Sequence, residues 1–110
     1  MYYISKTFEV SSGHSVRFAS GECERPHGHN YKITVFCKSE TLDAAGMVVN
    51  FDEIKKIVKD RMDHQNLNEV FDFNPTAENI AKWIADNVPK CWRAEVRETE
   101  SNWAAYEIMQ

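Results

Sequence analysis

The sequence predicts an α+β domain in which four antiparallel strands carry two helices on one face. Apolar and polar residues alternate in two stretches near the start of the chain and in two more near its end. Between them, apolar residues recur at helical spacing in two stretches. The predicted order is therefore β-β-α-α-β-β. With 110 residues, the chain has the length of one domain, predicted to cover residues 1–110.

The first two strands are predicted at residues 2–10 and 31–38. The apolar face of the first consists of Tyr2, Ile4, Phe8 and Val10. The apolar face of the second consists of Tyr31, Ile33, Val35 and Cys37. Residues 11–26 are small and polar, which predicts a long connection of the kind that often carries functional side chains. We expect the two strands to pair in antiparallel fashion around this loop.

The first helix is predicted to begin after Asn50, a suitable N-cap, and to end in a loop at residues 63–68. Its apolar side consists of Phe51, Ile54, Ile57, Val58 and Met62. After a linker at residues 71–75, the second helix is expected to start near residues 74–76, with Pro75 in its first turn and Asn74 or Thr76 as its cap, and to end at Pro89. Its apolar side consists of Ala77, Ile80, Ala81, Ile84 and Val88.

The last two strands are predicted at residues 92–97 and 103–108, joined by a polar turn at residues 98–102. A sheet of four strands has two open edges, and a small domain has a small core. We therefore expect copies of the chain to join their edges in a ring-shaped oligomer.

Composition excludes several classes of function. The net charge of −4 argues against generic binding to nucleic acid or to a membrane surface, so neither partner is expected. Cys23, Cys37 and Cys91 are odd in number and lack CxxC spacing, which fits a reducing cytosol rather than a disulfide framework. The first residues do not resemble a signal peptide, and no apolar run has membrane-spanning length. A cytoplasmic location is expected.

The chemistry of the chain is predicted to centre on His27 and His29, one residue apart just ahead of the second strand. Residues i and i+2 of an extended chain project to the same face. If the strands pair, His14 joins them, and three imidazoles with an open fourth position are typical of a catalytic zinc site. Cys23 lies close enough in sequence to be a fourth ligand or an acid/base. The alternative is that this pair belongs to an ordinary polar strand face.

Other polar side chains are weaker candidates. Adjacent Asp63 and His64 can form a proton relay, although a helix-terminal histidine beside a solvated aspartate is the simpler reading. Glu98 follows a strand and can accept two hydrogen bonds from the edge of a guanidine-like ring. Arg25 can meet an anionic substrate or can be a surface charge.

Six stretches of the chain stand out together. They are Gly13-His14, Cys23-x-x-x-His27-Gly-His29-Asn-Tyr31, Gly46-Met-Val-Val-Asn-Phe51, Met62-Asp63-His64-x-x-Leu67-Asn68, Asn74-Pro-Thr-Ala-Glu-Asn-Ile-Ala-Lys-Trp83 and Val96-Arg-Glu98-Thr99. In their order and spacing they resemble the 6-pyruvoyl-tetrahydropterin synthase family. The resemblance implies the tunnelling fold (T-fold), with rings of three subunits stacked into a hexamer, a dimer of trimers, and active sites at the subunit contacts.

The resemblance also implies roles for individual residues. His14, His27 and His29 would bind Zn²⁺, and Cys23 would be a thiolate base. Asp63 and His64 would relay protons. Glu98 would anchor the pterin ring with help from the backbone near Thr99, and the implied substrate is 7,8-dihydroneopterin triphosphate.

The reaction depends on the branch of the family. Three residues separate Cys23 from His27, a spacing similar to that of the bacterial 6-carboxy-5,6,7,8-tetrahydropterin synthases of queuosine biosynthesis, which are lyases that release acetaldehyde and triphosphate. Alternatives are 6-pyruvoyl-tetrahydropterin synthesis and a non-catalytic pterin- or metal-binding role. A third branch cleaves the substrate towards folate with a glutamate in place of the cysteine, and here Glu22 and Glu24 flank Cys23.

Overall fold

The computed structural model describes residues 1–109, and its single sheet confirms the predicted α+β class. The elements are β1 (Tyr2–His14), β2 (His27–Ser39), α1 (Phe51–Met62), α2 (Leu67–Val70), α3 (Ala77–Asn87), β3 (Cys91–Arg97) and β4 (Trp103–Glu107). The strands are antiparallel neighbours in the order β1-β2-β3-β4. Within the described range, no helix is long and apolar enough to cross a membrane.

The pairing of β1 with β2 is longer than predicted. Its register runs without interruption from Tyr2 opposite Ser39 to His14 opposite His27. Residues 11–14 and 27–30, predicted to lie outside the strands, are therefore part of the sheet. These residues do not show the alternation of apolar and polar side chains that predicts a strand, because the inward-facing Ser12 and His14 are buried but polar.

The core lies between one face of the sheet and the helices. Ile54, Val58 and Met62 of α1 are fully buried, and α1 packs on β1 while α3 packs on β3 and β4. The sheet contributes Phe8, Val10, Tyr31, Ile33, Val35, Cys37, Cys91, Ala94 and Val96. Full burial of one large apolar side chain contributes about 1.5–3 kcal/mol, so this layer supplies most of the stability.

The helix starts are set by side-chain caps. The Asn50 side chain accepts a hydrogen bond from the Asp52 N–H at 2.8 Å, as predicted. The second cap is Thr76, whose hydroxyl accepts from the Asn79 N–H at 3.1 Å. The expectation that Pro75 lies in the first turn is therefore wrong, because the helix begins two residues later. Pro75 instead precedes the cap and is fully buried.

The one-turn helix α2 was not predicted. Asn66, which was read as part of a terminating loop, is its N-cap and accepts from the Asn68 N–H at 3.1 Å. Leu67 is fully buried, and this anchors the turn to the core. A turn of four residues is too short to show helical periodicity in a sequence.

The outer edge of β1 is covered by the segment after α1. The Asp63 carboxylate accepts a hydrogen bond from the Ser11 N–H at 2.9 Å, and the His64 N–H donates to the Ser11 carbonyl at 2.7 Å. Further along, the Gly13 N–H donates to the Gln65 carbonyl at 3.0 Å. An open strand edge needs partners for its backbone groups, and these contacts supply them between Ser11 and Gly13.

Two asparagines continue this cover beyond the end of β1. Asn68 accepts from the Ser15 N–H and donates to the Ser15 carbonyl, both at 2.8 Å. Asn74 does the same at Arg17, at 2.9 and 2.8 Å. A carboxamide carries a donor and an acceptor side by side and can thus replace one residue of a neighbouring strand. We call the pair Asn68 and Asn74 the amide latch.

Replacing Asn68 with alanine is expected to lower the free energy of unfolding by about 1–2 kcal/mol, because each of its two hydrogen bonds contributes about 0.5–1.5 kcal/mol net. Urea denaturation would measure the loss as a lower midpoint. Glu69→Ala, at an exposed position of the same short helix, is the matched control and should change stability by less than about 0.5 kcal/mol. Equal midpoints for the two variants would show that the latch does not stabilise the fold.

Candidate metal centre and active site

Three histidines converge at the open end of the β1–β2 pair. The register places His14 opposite His27, and His29 lies two residues further on the same face. One ring nitrogen from each lies within 4.8 Å of the other two. The cluster is graded in exposure, since His14 is 2% exposed whereas the side chains of His29 and His27 are 15% and 37% exposed.

Backbone carbonyls fix the orientation of two of the rings. His14 Nδ1 lies 2.8 Å from the Pro75 carbonyl, and His27 Nδ1 lies 2.9 Å from the Arg25 carbonyl. Because a carbonyl can only accept, each Nδ1 must carry the proton and donate it. In the neutral rings both Nε2 atoms then present lone pairs, and they face each other at 3.0 Å. Two lone pairs at this distance repel unless a cation lies beside them.

His29 also fits a metal ligand. Its Nε2 is buried and has no hydrogen-bond partner among the described residues. Burial lowers the pKa of His29, and the nearby Glu98 only partly offsets this, so the ring is neutral at neutral pH. Three neutral imidazoles with free lone pairs are donors that suit Zn²⁺ and similar divalent metals. The residues present therefore fit a metal ion.

Glu24, which the sequence offered only as a neighbour of Cys23, also lies beside the histidines. Its Oε1 lies 3.6 Å from His27 Nε2 and 4.0 Å from His14 Nε2. The same oxygen accepts a hydrogen bond from the Val16 N–H at 2.9 Å. The loop folds back on itself here, because the Glu24 N–H donates to the Val16 carbonyl at 3.0 Å. This pairing brings the carboxylate over the histidines.

Cys23 and Arg25, on either side of Glu24, are exposed. Cys23 is a free thiol and forms an isolated antiparallel bridge with Arg17. Successive side chains of an extended segment project to opposite sides, so with Glu24 facing the histidines Cys23 faces away from them. Arg25 contributes its carbonyl to His27, and its guanidinium lies at the surface.

Asp63 and His64 are in contact but lie at the outer edge of β1. Asp63 Oδ2 is 3.4 Å from His64 Nε2, while Oδ1 holds the Ser11 N–H. His64 has a φ of 59°, a left-handed conformation that is uncommon for residues other than glycine, and its side chain is 81% exposed. The pair thus presents an imidazole outward from the edge of the sheet.

Two cavities adjoin the histidine cluster. One, of about 560 Å³, is lined by His29, Glu98 and Thr99 among others, and Glu98 Oε2 lies 3.9 Å from His29 Nε2. The other, of about 610 Å³, is lined by His14, His27 and residues of the 65–68 segment. The Thr99 hydroxyl accepts from the backbone of the turn that follows it and so shapes the first cavity.

Residues 3–108 match the sequence profile described as 6-pyruvoyl tetrahydropterin synthase. The chain belongs to this family. It is 34% identical to a 6-carboxy-5,6,7,8-tetrahydropterin synthase of Bacillus subtilis, over 96% of this chain and 84% of the relative. It is 35% identical to the human 6-pyruvoyl tetrahydrobiopterin synthase, over 79% and 71%. It is 36% identical to a dihydroneopterin monophosphate aldolase of Pyrococcus furiosus, over 78% and 74%.

The fold agrees with this assignment. The structure of Caenorhabditis elegans 6-pyruvoyl tetrahydropterin synthase superposes with a TM-score of 0.76 at 24% identity, covering 98% of this chain and 96% of that one. The T-fold expected from the resemblance is therefore confirmed, while assembly into a ring stays a prediction. The predicted membership in an enzyme family is also confirmed.

The sequence identified the three histidines, Cys23, Asp63, His64 and Glu98 as candidate site residues. It did not predict that Glu24 lies next to the histidines. The pattern Cys-Glu-x-x-His-Gly-His contained a signal, because only two residues separate Glu24 from His27 and the carboxylate must therefore lie near the histidines in the chain. Which of the two side chains, Cys23 or Glu24, faces the histidines depends on the pairing of residues 16–18 with 22–24, and this pairing is known only from the structure.

Replacing His29 with alanine is expected to leave less than one zinc ion per chain after the protein is loaded with zinc and unbound ion is removed by dialysis. Two imidazoles hold the metal far less firmly than three. Metal content per folded chain, measured by mass spectrometry, checks this. His64→Ala is the matched control, since it removes the one histidine outside the cluster and should retain zinc. Equal zinc in both variants would place the metal elsewhere.

Proposed function

We propose that this chain is a zinc-dependent 6-carboxy-5,6,7,8-tetrahydropterin synthase. It would convert 7,8-dihydroneopterin triphosphate to 6-carboxy-5,6,7,8-tetrahydropterin with release of acetaldehyde and triphosphate, a step in queuosine biosynthesis in the cytoplasm. The observation that supports this most is the convergence of three imidazole lone pairs beside a cavity that contains a carboxylate. Similarity to the Bacillus subtilis enzyme over almost the whole chain favours this reaction within the family.

His14, His27 and His29 would hold the zinc. When bound, the ion supplies Lewis-acid polarisation of substrate oxygens. The carbonyls of Pro75 and Arg25 keep two of the rings in the ligating tautomer. His14 is buried beneath the other two histidines, which restricts the movement of its ring.

Glu98 would bind the pterin ring in the cavity that it shares with His29. A carboxylate accepts two parallel hydrogen bonds from a guanidine-like ring edge, and this fixes the ring plane and therefore the position of the side chain to be cleaved. Thr99 would support that edge through the turn its hydroxyl closes. Arg25, exposed on the loop, would meet the triphosphate.

Cys23 and the Asp63–His64 pair would transfer protons. Asp63 orients His64 by the 3.4 Å contact, so the imidazole can take or give a proton. Both Cys23 and His64 face outward from one chain, and we propose that the site is completed where copies of the chain meet. A hexamer built as a dimer of trimers would provide such contacts by joining β4 to the part of the β1 edge before Ser11, which the segment after α1 does not cover.

A second reaction has one specific observation in its favour. Glu24 rather than Cys23 faces the histidines within the chain. A carboxylate in that place would suit the branch that cleaves the dihydroneopterin side chain with a glutamate. The aldolase of Pyrococcus furiosus is a relative of this chain. Formation of 6-pyruvoyl-tetrahydropterin and a non-catalytic pterin- or metal-binding role are the remaining alternatives.

The zinc-loaded protein, incubated with 7,8-dihydroneopterin triphosphate, is expected to yield 6-carboxy-5,6,7,8-tetrahydropterin and acetaldehyde, identified by mass spectrometry. Cys23→Ala should reduce their formation at least about 100-fold, because it removes a positioned proton acceptor. Cys37→Ala, which removes a thiol from the core rather than the loop, is the control and should keep most of the activity of the folded fraction.

Other products would redirect the assignment. Formation of 6-pyruvoyl-tetrahydropterin would assign the chain to the biopterin-type reaction. A cleaved pterin whose formation depends on Glu24 and not on Cys23 would assign it to the glutamate branch. Zinc and pterin binding without any turnover would contradict an enzymatic role.

A further inference from the structure

Among the described residues, Glu24 is a charged side chain beside the histidine cluster that the proposed lyase reaction does not use. We propose that it is a fourth, exchangeable ligand of the metal, which occupies the open coordination position until substrate oxygens replace it. This inference rests on the metal centre of the proposed function and concerns the resting state of that centre.

Glu24 lies near two of the three histidine ligand atoms at distances somewhat longer than those of a four-coordinate site. Metal–ligand bonds of about 2.0–2.1 Å at tetrahedral angles place neighbouring ligand atoms about 3.3 Å apart. The Nε2 atoms of His14 and His27 are 3.0 Å apart, and Glu24 Oε1 lies 4.0 and 3.6 Å from them. The separations from Glu24 Oε1 thus exceed the tetrahedral value by about 0.7 and 0.3 Å, so Glu24 lies beside the three-histidine group, and a movement of its side chain toward the metal would complete the site.

Hydrogen bonding does not account for this placement. The ring protons of His14 and His27 are on Nδ1 and are used by backbone carbonyls. The distances of 3.6 and 4.0 Å from Glu24 Oε1 to the Nε2 atoms of His27 and His14 exceed the length of a hydrogen bond. The Glu24 carboxylate thus lies near two ring nitrogens without a hydrogen bond to either. A bound cation would stabilise this arrangement.

The loop holds Glu24 in this position through several contacts. The Val16 N–H donates to its carboxylate at 2.9 Å, and the Ser15 hydroxyl donates to its backbone carbonyl at 2.5 Å. Ser15 is itself held by Asn68 of the amide latch. A ligand fixed by its surroundings loses little conformational freedom when a metal binds.

The ligand is also able to leave. The Glu24 side chain is 28% exposed and beside it His27 opens to the cavity lined by residues 65–68. Its carboxylate has one hydrogen bond to the protein, from Val16. Substrate oxygens that reach the metal can displace it, and the carboxylate keeps solvent and the Val16 N–H as partners.

Zinc titration by calorimetry in the absence of pterin tests the inference. Glu24→Gln, which keeps the shape and removes the charge, is expected to weaken zinc binding about tenfold or more. Glu22→Gln and Cys23→Ser are matched controls on the same loop and should bind zinc as the unmodified chain does. Equal affinity for the Glu24→Gln variant and the unmodified chain would overturn the inference.

Cobalt-substituted protein gives a second readout that does not depend on a Glu24 variant. The unmodified chain is expected to show the visible bands of four-coordinate Co²⁺ without a sulfur-to-metal charge-transfer band. A charge-transfer band that disappears in Cys23→Ser would show that the thiol is the fourth ligand and would overturn the inference. Absence of metal binding by the unmodified chain would overturn both this inference and the metal centre, whereas metal binding without pterin turnover contradicts the proposed reaction alone.

Discussion

The register between β1 and β2 is the constraint on which the candidate site depends. Thirteen residues of each strand pair without a bulge, so the parity set by the buried Val10 and Tyr31 is carried to the end of the hairpin. There it places His14 opposite His27, with His29 on the same face. A shift of one residue would turn these imidazoles to the other face of the sheet. The apolar core thereby determines the geometry of a polar site at its rim.

The loop between these strands carries a carboxylate on one side and a thiol on the other. Its short internal pairing directs Glu24 inward to the histidines and Cys23 outward. Asn68 and Asn74 attach the start of the loop to the segment that follows α1. A carboxylate near the metal and a thiol at the surface suit a site in which one chain supplies the ligands and a neighbouring copy approaches from outside.

Much of the fold followed from periodicity, because alternating and helical patterns record which side chains face the core. The parts that were missed are those in which polar residues take structural roles. The inward Ser12 and His14 concealed the end of β1, and a four-residue α2 was too short to show a period. The histidines were predictable from parity, whereas Glu24 depends on how a loop pairs with itself. Local sequence carries little information about such pairing.

The proposed chemistry depends on a metal centre formed by three histidines of one chain. The most direct measurement is an anomalous difference map at the zinc absorption edge, from crystals of the zinc-loaded protein. We expect one strong peak for each chain, within bonding distance of the Nε2 atoms of His14, His27 and His29. A map without a peak there, or with its peak at other residues, would contradict it.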